Sequence, residues 1–245
     1  MSKCLTDRDI ALFKYLHENK VASGKHLHQF IFKSASGTAR RRLIKLRQIG
    51  MLAAISRDED GDKSIVYSLT RKSFNLLQRI YPEDCLIKRY RSNSVDHDLR
   101  LLEIKNTLQQ KGLVSGYWPE NILHSSARVQ TDSRIIPFID LQADAVIRLG
   151  RKVDEYFYCG LEYEASLKAQ SEYARKIAAI YLNENIEAIL YVTKNLEIER
   201  RIKKTELEQA PRREKKIYFA QLEKVTNENS KVTFASQENN ILEVY

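Results

Sequence analysis

TARRRLIKLRQIGML, residues 38–52, is the stretch from which the N-terminal fold can be worked out. At about 100° per residue in a helix, Ala39, Leu43 and Leu46 fall in one narrow stripe that must face a core. Thr38, Arg41, Arg42 and Lys45 then lie on or near the opposite side, with Arg40 and Arg47 flanking the stripe. A helix with hydroxyl, guanidinium and ammonium groups on its outer face can enter a major groove, where Arg pairs with guanine edges and Lys or Thr with phosphates. A solvated basic helix is the plainer alternative.

Upstream, Thr6 and Asp9 form a capping pair for a first helix over about 6–19, carrying Ile10, Leu12, Phe13 and Leu16. Ser23 is an N-cap candidate for a short second helix with Leu27, Phe30 and Ile31, and Ser34-Ala35-Ser36-Gly37 breaks the chain before the third. Three short helices in succession give a helix-turn-helix pattern, in which the third is the recognition helix. Downstream, MLAAISRDEDGDKSIVYSL reads as two strands around an acidic turn, the place of a wing, with Arg57 and Lys63 on its shoulders as the better phosphate contacts. Thr70 caps a further helix through Phe74, Leu76 and Leu77 that ends before Pro82.

The charge supports this division. Residues 1–95 hold 19 Lys and Arg against 9 Asp and Glu, and residues 96–245 hold 22 against 23, so the net charge of +9 is confined to the first part. A basic excess on one domain is what a phosphate-neutralising surface needs. The N-terminus has no apolar leader core and no later window is a bilayer-spanning apolar run, which predicts a cytoplasmic chain with no membrane partner. Three cysteines far apart, Cys4, Cys85 and Cys159, fit reduced thiols, and none has zinc-site spacing. No GxSxG elbow and no phosphate-cradling glycine run is present.

After the polar stretch 82–95, which reads as a linker, a helix runs from Asp96 through Leu99, Leu102, Ile104 and Leu108 to Gly112. A strand near GYWPENIL follows, then strands ADAVIRL and YFYCGLEYEA, the helix SLKAQSEYARKIAAIYLNE and the strand IEAILYVT. This order belongs to an α/β sandwich. KIYFAQ and NILEVY read as closing strands. Residues 200–216, with 8 basic and 3 acidic side chains, are either a solvated helix and loop or a second phosphate-contacting patch. His26 and His28 lack a metal-binding partner nearby, His97 reads as a cap or packing residue, and Trp118 with the tyrosines at 156, 158, 163, 173 and 181 reads as core and groove lining.

The segments LTDRDIALFKYLHENKVASGKHLHQFIF, TARRRLIKLRQIGML and IVYSLTRKSFNLL resemble the winged-helix half of the replication-relaxation family of plasmids and integrative elements. The likeness continues from HDLRLLEI, which holds His97, to YVT at 191–193, on the order of four-fifths of the chain. It implies an α+β protein: a winged helix-turn-helix DNA-binding domain over 1–91, then a restriction-endonuclease-like, PD-(D/E)XK-type α/β domain over 96–245.

The element order is also that of the PD-(D/E)XK core. Asp144 sits in Ala-Asp-Ala-Val, where the family resemblance implies Pro-Asp-Ala-Val, and Glu162 and Glu164 lie two apart on the next strand, on one face. Three such carboxylates could hold Mg²⁺ and activate water. The lysine of that motif is missing, since position 164 is Glu; Lys168 and Lys176 are the available substitutes, and Glu164 with Lys168 could equally be an ion pair without chemistry. The expectation is a sequence-specific binder of double-stranded DNA from a mobile element, acting in plasmid replication, mobilisation or transcriptional control, with a degenerate nuclease-like domain and no certain cofactor. The alternative is a Mg²⁺-dependent endonuclease. A protein-interaction module leaves Arg41, Arg42 and Lys45 unexplained, and a homodimer is compatible with a winged-helix regulator.

Overall fold

The computed structural model describes residues 5–33, 36–59, 62–87, 91–152, 155–227, 229–238 and 240–243. Side chains inside that range are also left undescribed at 36, 58, 59, 62, 63, 151, 152, 155 and 243. The protein is a mixed α and β structure in two compact units, Met1–Leu102 with His124–Arg128, and Glu103–Leu123 with Val129–Tyr245.

In the first unit, α1 (Asp7–Asn19) starts at the Thr6/Asp9 capping box, and β1 (Val21–Ser23) follows directly. Ser23 caps α2 (Gly24–Leu27), which continues as one π-helical turn over His28–Phe32. Next come α3 (Ser36–Gln48), the strands β2 (Leu52–Glu59) and β3 (Asp62–Leu69), and α4 (Arg71–Ile80), capped by Thr70. The strands form an antiparallel sheet in the order β1-β3-β2. Leu12, Phe13 and Leu16 of α1, Leu27, the stripe Ala39, Leu43 and Leu46 of α3, and Phe74 and Leu77 of α4 close one apolar core with Leu52, Tyr67 and Leu69 of the sheet. Burial of such side chains is worth about 1.5–3 kcal/mol each, enough to fix the faces of four short helices with little stability of their own. The Pro82–Asp84 segment is a single 3-10 turn, and α5 (Val95–Gln110) follows; the division between the units falls inside this helix.

The second unit is built on a seven-stranded sheet. After α5 the chain order is β4 (Gly116–Pro119), the short helices α6 (Glu120–Ser125) and α7 (Ala127–Gln130), of which His124–Arg128 belong to the first unit, then α8 (Ile136–Asp140), β5 (Ala145–Lys152) and β6 (Glu155–Glu164). After these come α9 (Gln170–Leu182), β7 (Ala188–Thr193), α10 (Leu196–Gln209), β8 (Ile217–Gln221), α11 (Leu222–Thr226), β9 (Thr233–Ser236) and β10 (Ile241–Glu243). The sheet order is β10-β9-β8-β7-β6-β5-β4, with β6, β7 and β8 parallel and the other pairs antiparallel. Helices connect the parallel strands, as that geometry requires. Val146, Ile189, Tyr191, Ile217 and Phe219 on one face pack with Phe138 of α8, Tyr173, Ile177 and Ile180 of α9, and Ile198 and Ile202 of α10.

The strand expected near GYWPENIL stops at Pro119, because Glu120 begins α6. β1, β9 and the helices α6 to α8 go beyond the elements expected from periodicity. Each is only a few residues long.

Candidate functional site

Two places gather the residues with chemical potential. On α3, Ala39, Leu43 and Leu46 are buried, and Thr38, Arg40, Arg41, Lys45 and Arg47 are exposed. Ile44 stands beside them at 40% exposure. Arg41 Nε donates back to the Gly37 carbonyl of its own helix at 3.4 Å, a weak contact that leaves the guanidinium at the surface.

Arg42 is held differently. It lies about 100° round the helix from Leu43, on the shoulder of the buried stripe, where its Nε donates to Asp9 Oδ1 at 2.8 Å and its Nη2 to Asp9 Oδ2. Asp9 is almost fully buried and also accepts from the Thr6 backbone N–H and hydroxyl. Burial works against its charge, but the Arg42 and Thr6 hydrogen bonds outweigh it and hold the carboxyl below the usual range. Arg42 thus ties α3 to the start of α1. Arg57 of β2, 14% exposed, bonds Asp96 Oδ1 at 2.5 Å, and Lys63 is on β3 with its side chain outside the described residues.

The second place lies at the ends of β5 and β6. Glu162 and Glu164 share one face of β6, and Asp144, just before β5, reaches the same strand end, where its Oδ2 accepts from the Tyr163 N–H at 2.8 Å. Lys176 of α9 bonds Glu162 Oε2 at 2.6 Å, and Lys168 bonds Glu164 Oε1 at 2.7 Å. Both glutamates are almost fully buried. Tyr191 and Thr193 of β7 stand opposite Glu162 and Glu164, and Gln221 of β8 stands opposite Thr193. Gln221 donates to Thr193 Oγ1 at 3.0 Å and to Glu199 Oε2 at 2.5 Å, extending the polar row across three strands. Sequence spacing pointed to Lys176 as a substitute but not to this row, which appears only once the parallel register is known.

The electrostatics follow from burial. Burial pushes the Glu162 carboxyl up to about 8, with Asp144 and Glu164 adding to the rise and Lys176 opposing it. Burial raises Glu164 as well, against Lys168. For Lys168, burial disfavours the charge, yet the bond to Glu164 and the neighbouring acids raise its pKa overall. Glu162 Oε1 and the Tyr191 hydroxyl are buried without a hydrogen-bond partner. Each glutamate already gives one oxygen to a lysine, and among the described residues no group of three His, Cys, Asp or Glu side chains is arranged to hold a metal ion.

The remaining candidates have local roles. His26 Nδ1 accepts from the Ser23 N–H at 3.4 Å, reciprocating the Ser23 cap of α2, and His97 lies 3.8 Å from Asp98. Within 200–216, Lys203 pairs with Glu199 and Lys204 with Glu208, and Arg213, Lys215 and Lys216 donate to main-chain carbonyls. That leaves Arg200, Arg201 and Arg212 as the exposed cations of that segment without a described partner. No helix among the described residues is long and apolar enough to cross a membrane.

A family model described as replication-relaxation matches residues 13–179, a span that runs from within α1 to within α9 and takes in both α3 and the carboxylate cluster. No curated protein and no solved structure matches the chain.

Proposed function

The chain belongs to the replication-relaxation family, and on that premise we propose that it binds double-stranded DNA through α3 in the service of a mobile element's replication, mobilisation or transcriptional control. On this reading residues 1–91 are a winged helix-turn-helix, with α3 as recognition helix and the β2–β3 hairpin as wing. The second unit is a nuclease-like α/β domain whose acids are neutralised internally, used for support and not for cleavage.

The observation that carries the reading is the outer face of α3. Thr38, Arg40, Arg41 and Lys45 are exposed together, directly behind a buried apolar stripe that fixes the helix, in the part of the chain that holds the whole basic excess. Binding of a labelled duplex by the full chain, compared with Arg41→Ala and Lys45→Ala, tests it. A direct base contact should cost about 1–3 kcal/mol when removed. Full affinity in both variants would remove α3 as the reading element.

A further inference from the structure

The same face of the large sheet carries a second group of side chains, beyond the carboxylates and towards the edge strand β4. Arg148 of β5 stands in register between Gly116 of β4 and Tyr158 of β6. Its guanidinium carbon lies 4.2 Å from the Tyr156 ring centroid and 5.8 Å from that of Trp118. The rings of Trp118 and Tyr158 stack at 5.8 Å and 24°, and the Arg134 guanidinium lies 4.8 Å from the Tyr158 centroid. Glycine at 116 makes this possible: a Cβ there would come within 2.5 Å of the Trp118 ring.

Both guanidinium planes are fixed from behind. Arg148 donates to Ser115 Oγ at 3.0 Å and to the Ser115 carbonyl at 3.1 Å, and Arg134 grips Asp132 through bonds of 2.9 and 2.8 Å. The Arg134 charge is therefore matched, whereas the hydrogen bonds of Arg148 go to neutral groups. Arg134 and Tyr156 are exposed and the other three side chains are half-buried. Phe138 lies over Gly160, between this strip and the acids.

We propose that this strip binds a single-stranded polynucleotide, whose bases stack on the ring and guanidinium planes and whose phosphate meets Arg148. Unpaired bases offer π faces, and planes already held in place lose little entropy on stacking. A duplex hides those faces inside its own stack.

Trp118 is the chain's one tryptophan, so its fluorescence reports on the strip directly. Titrating the full-length protein with an oligothymidylate of about 12 nucleotides should change that emission saturably. Tyr156→Ala, at an exposed position, and Arg148→Gln should each weaken the response about five- to 150-fold, the loss of one stacked base. Arg41→Ala should leave it intact, which separates this strip from the α3 reading. A matching response to oligouridylate assigns recognition to bases and phosphates common to both polymers, and a preference for one polymer adds recognition of its sugar. No change in Trp118 emission, unaltered affinity in both variants, an equal response to duplex, or a response only to a proline-rich peptide would overturn the proposal.

Discussion

Neighbouring arginines on one helix do different jobs here, and the difference is measurable. Arg42 neutralises a buried carboxylate, and Arg41, one position earlier, faces outward. Arg42→Ala leaves Asp9 buried with only its Thr6 partners, so it should lower stability by about 1–3 kcal/mol in denaturant titrations, and Arg41→Ala should leave stability within error. Equal stability of the two variants would mean that the Asp9 bond contributes nothing net. Glu162 gives a second residue-level test. Because its folded pKa is raised above the unfolded value, the folded state holds the extra proton in the window between about 4.5 and 8, so its contribution to stability falls as pH rises through that window. Glu162→Gln cannot ionise, and its melting temperature should therefore gain on the parent protein as pH goes from the acid to the alkaline side of that window. If Lys168 and Lys176 neutralise the acids as proposed, Mg²⁺ should leave the parent's melting temperature unchanged. A metal-induced rise that Glu162→Gln abolishes would restore the endonuclease reading.

At the scale of elements, local signals in the chain were legible and tertiary ones were not. The Thr6, Ser23 and Thr70 caps could be read from single side chains beside apolar runs, and each accepts the backbone N–H three residues on. Thr70 also bonds the Gly50 carbonyl at 2.8 Å, linking the start of α4 to the end of α3, so Thr70→Ala should cost about 1–2 kcal/mol and sharpen no other property. A loss under a few tenths of a kcal/mol would show that water replaces both bonds. The stripe of α3 and the shared face of Glu162 and Glu164 follow from helix and strand period alone. The Asp9–Arg42 bond joins residues 33 apart, and the Gln221–Thr193 bond depends on a parallel register that no local pattern encodes. The three helices between β4 and β5 are too short for periodicity to reveal, and Pro119, read as mid-strand, is the last residue of β4. Trp118 and Tyr158 read as core or groove lining because their stacking exists only once Arg148 lies between their strands.

For the whole molecule, the decisive property is the separation of charge along the chain: a basic excess before residue 96 and near balance after it. If duplex DNA is bound by the first unit, association should be strongly salt-dependent, because each phosphate neutralised releases condensed counterions. A fragment of residues 1–110, which keeps all of α5, should retain duplex affinity, and a folded fragment without any would move the interface elsewhere. The most direct measurement is the slope of log affinity against log salt for the full chain on duplex DNA, taken beside an Arg41→Ala, Lys45→Ala double variant of unchanged stability. Lower affinity and a slope shallower by about one unit per lost phosphate contact are the expected result. Identical affinity and slope in the two proteins would contradict it.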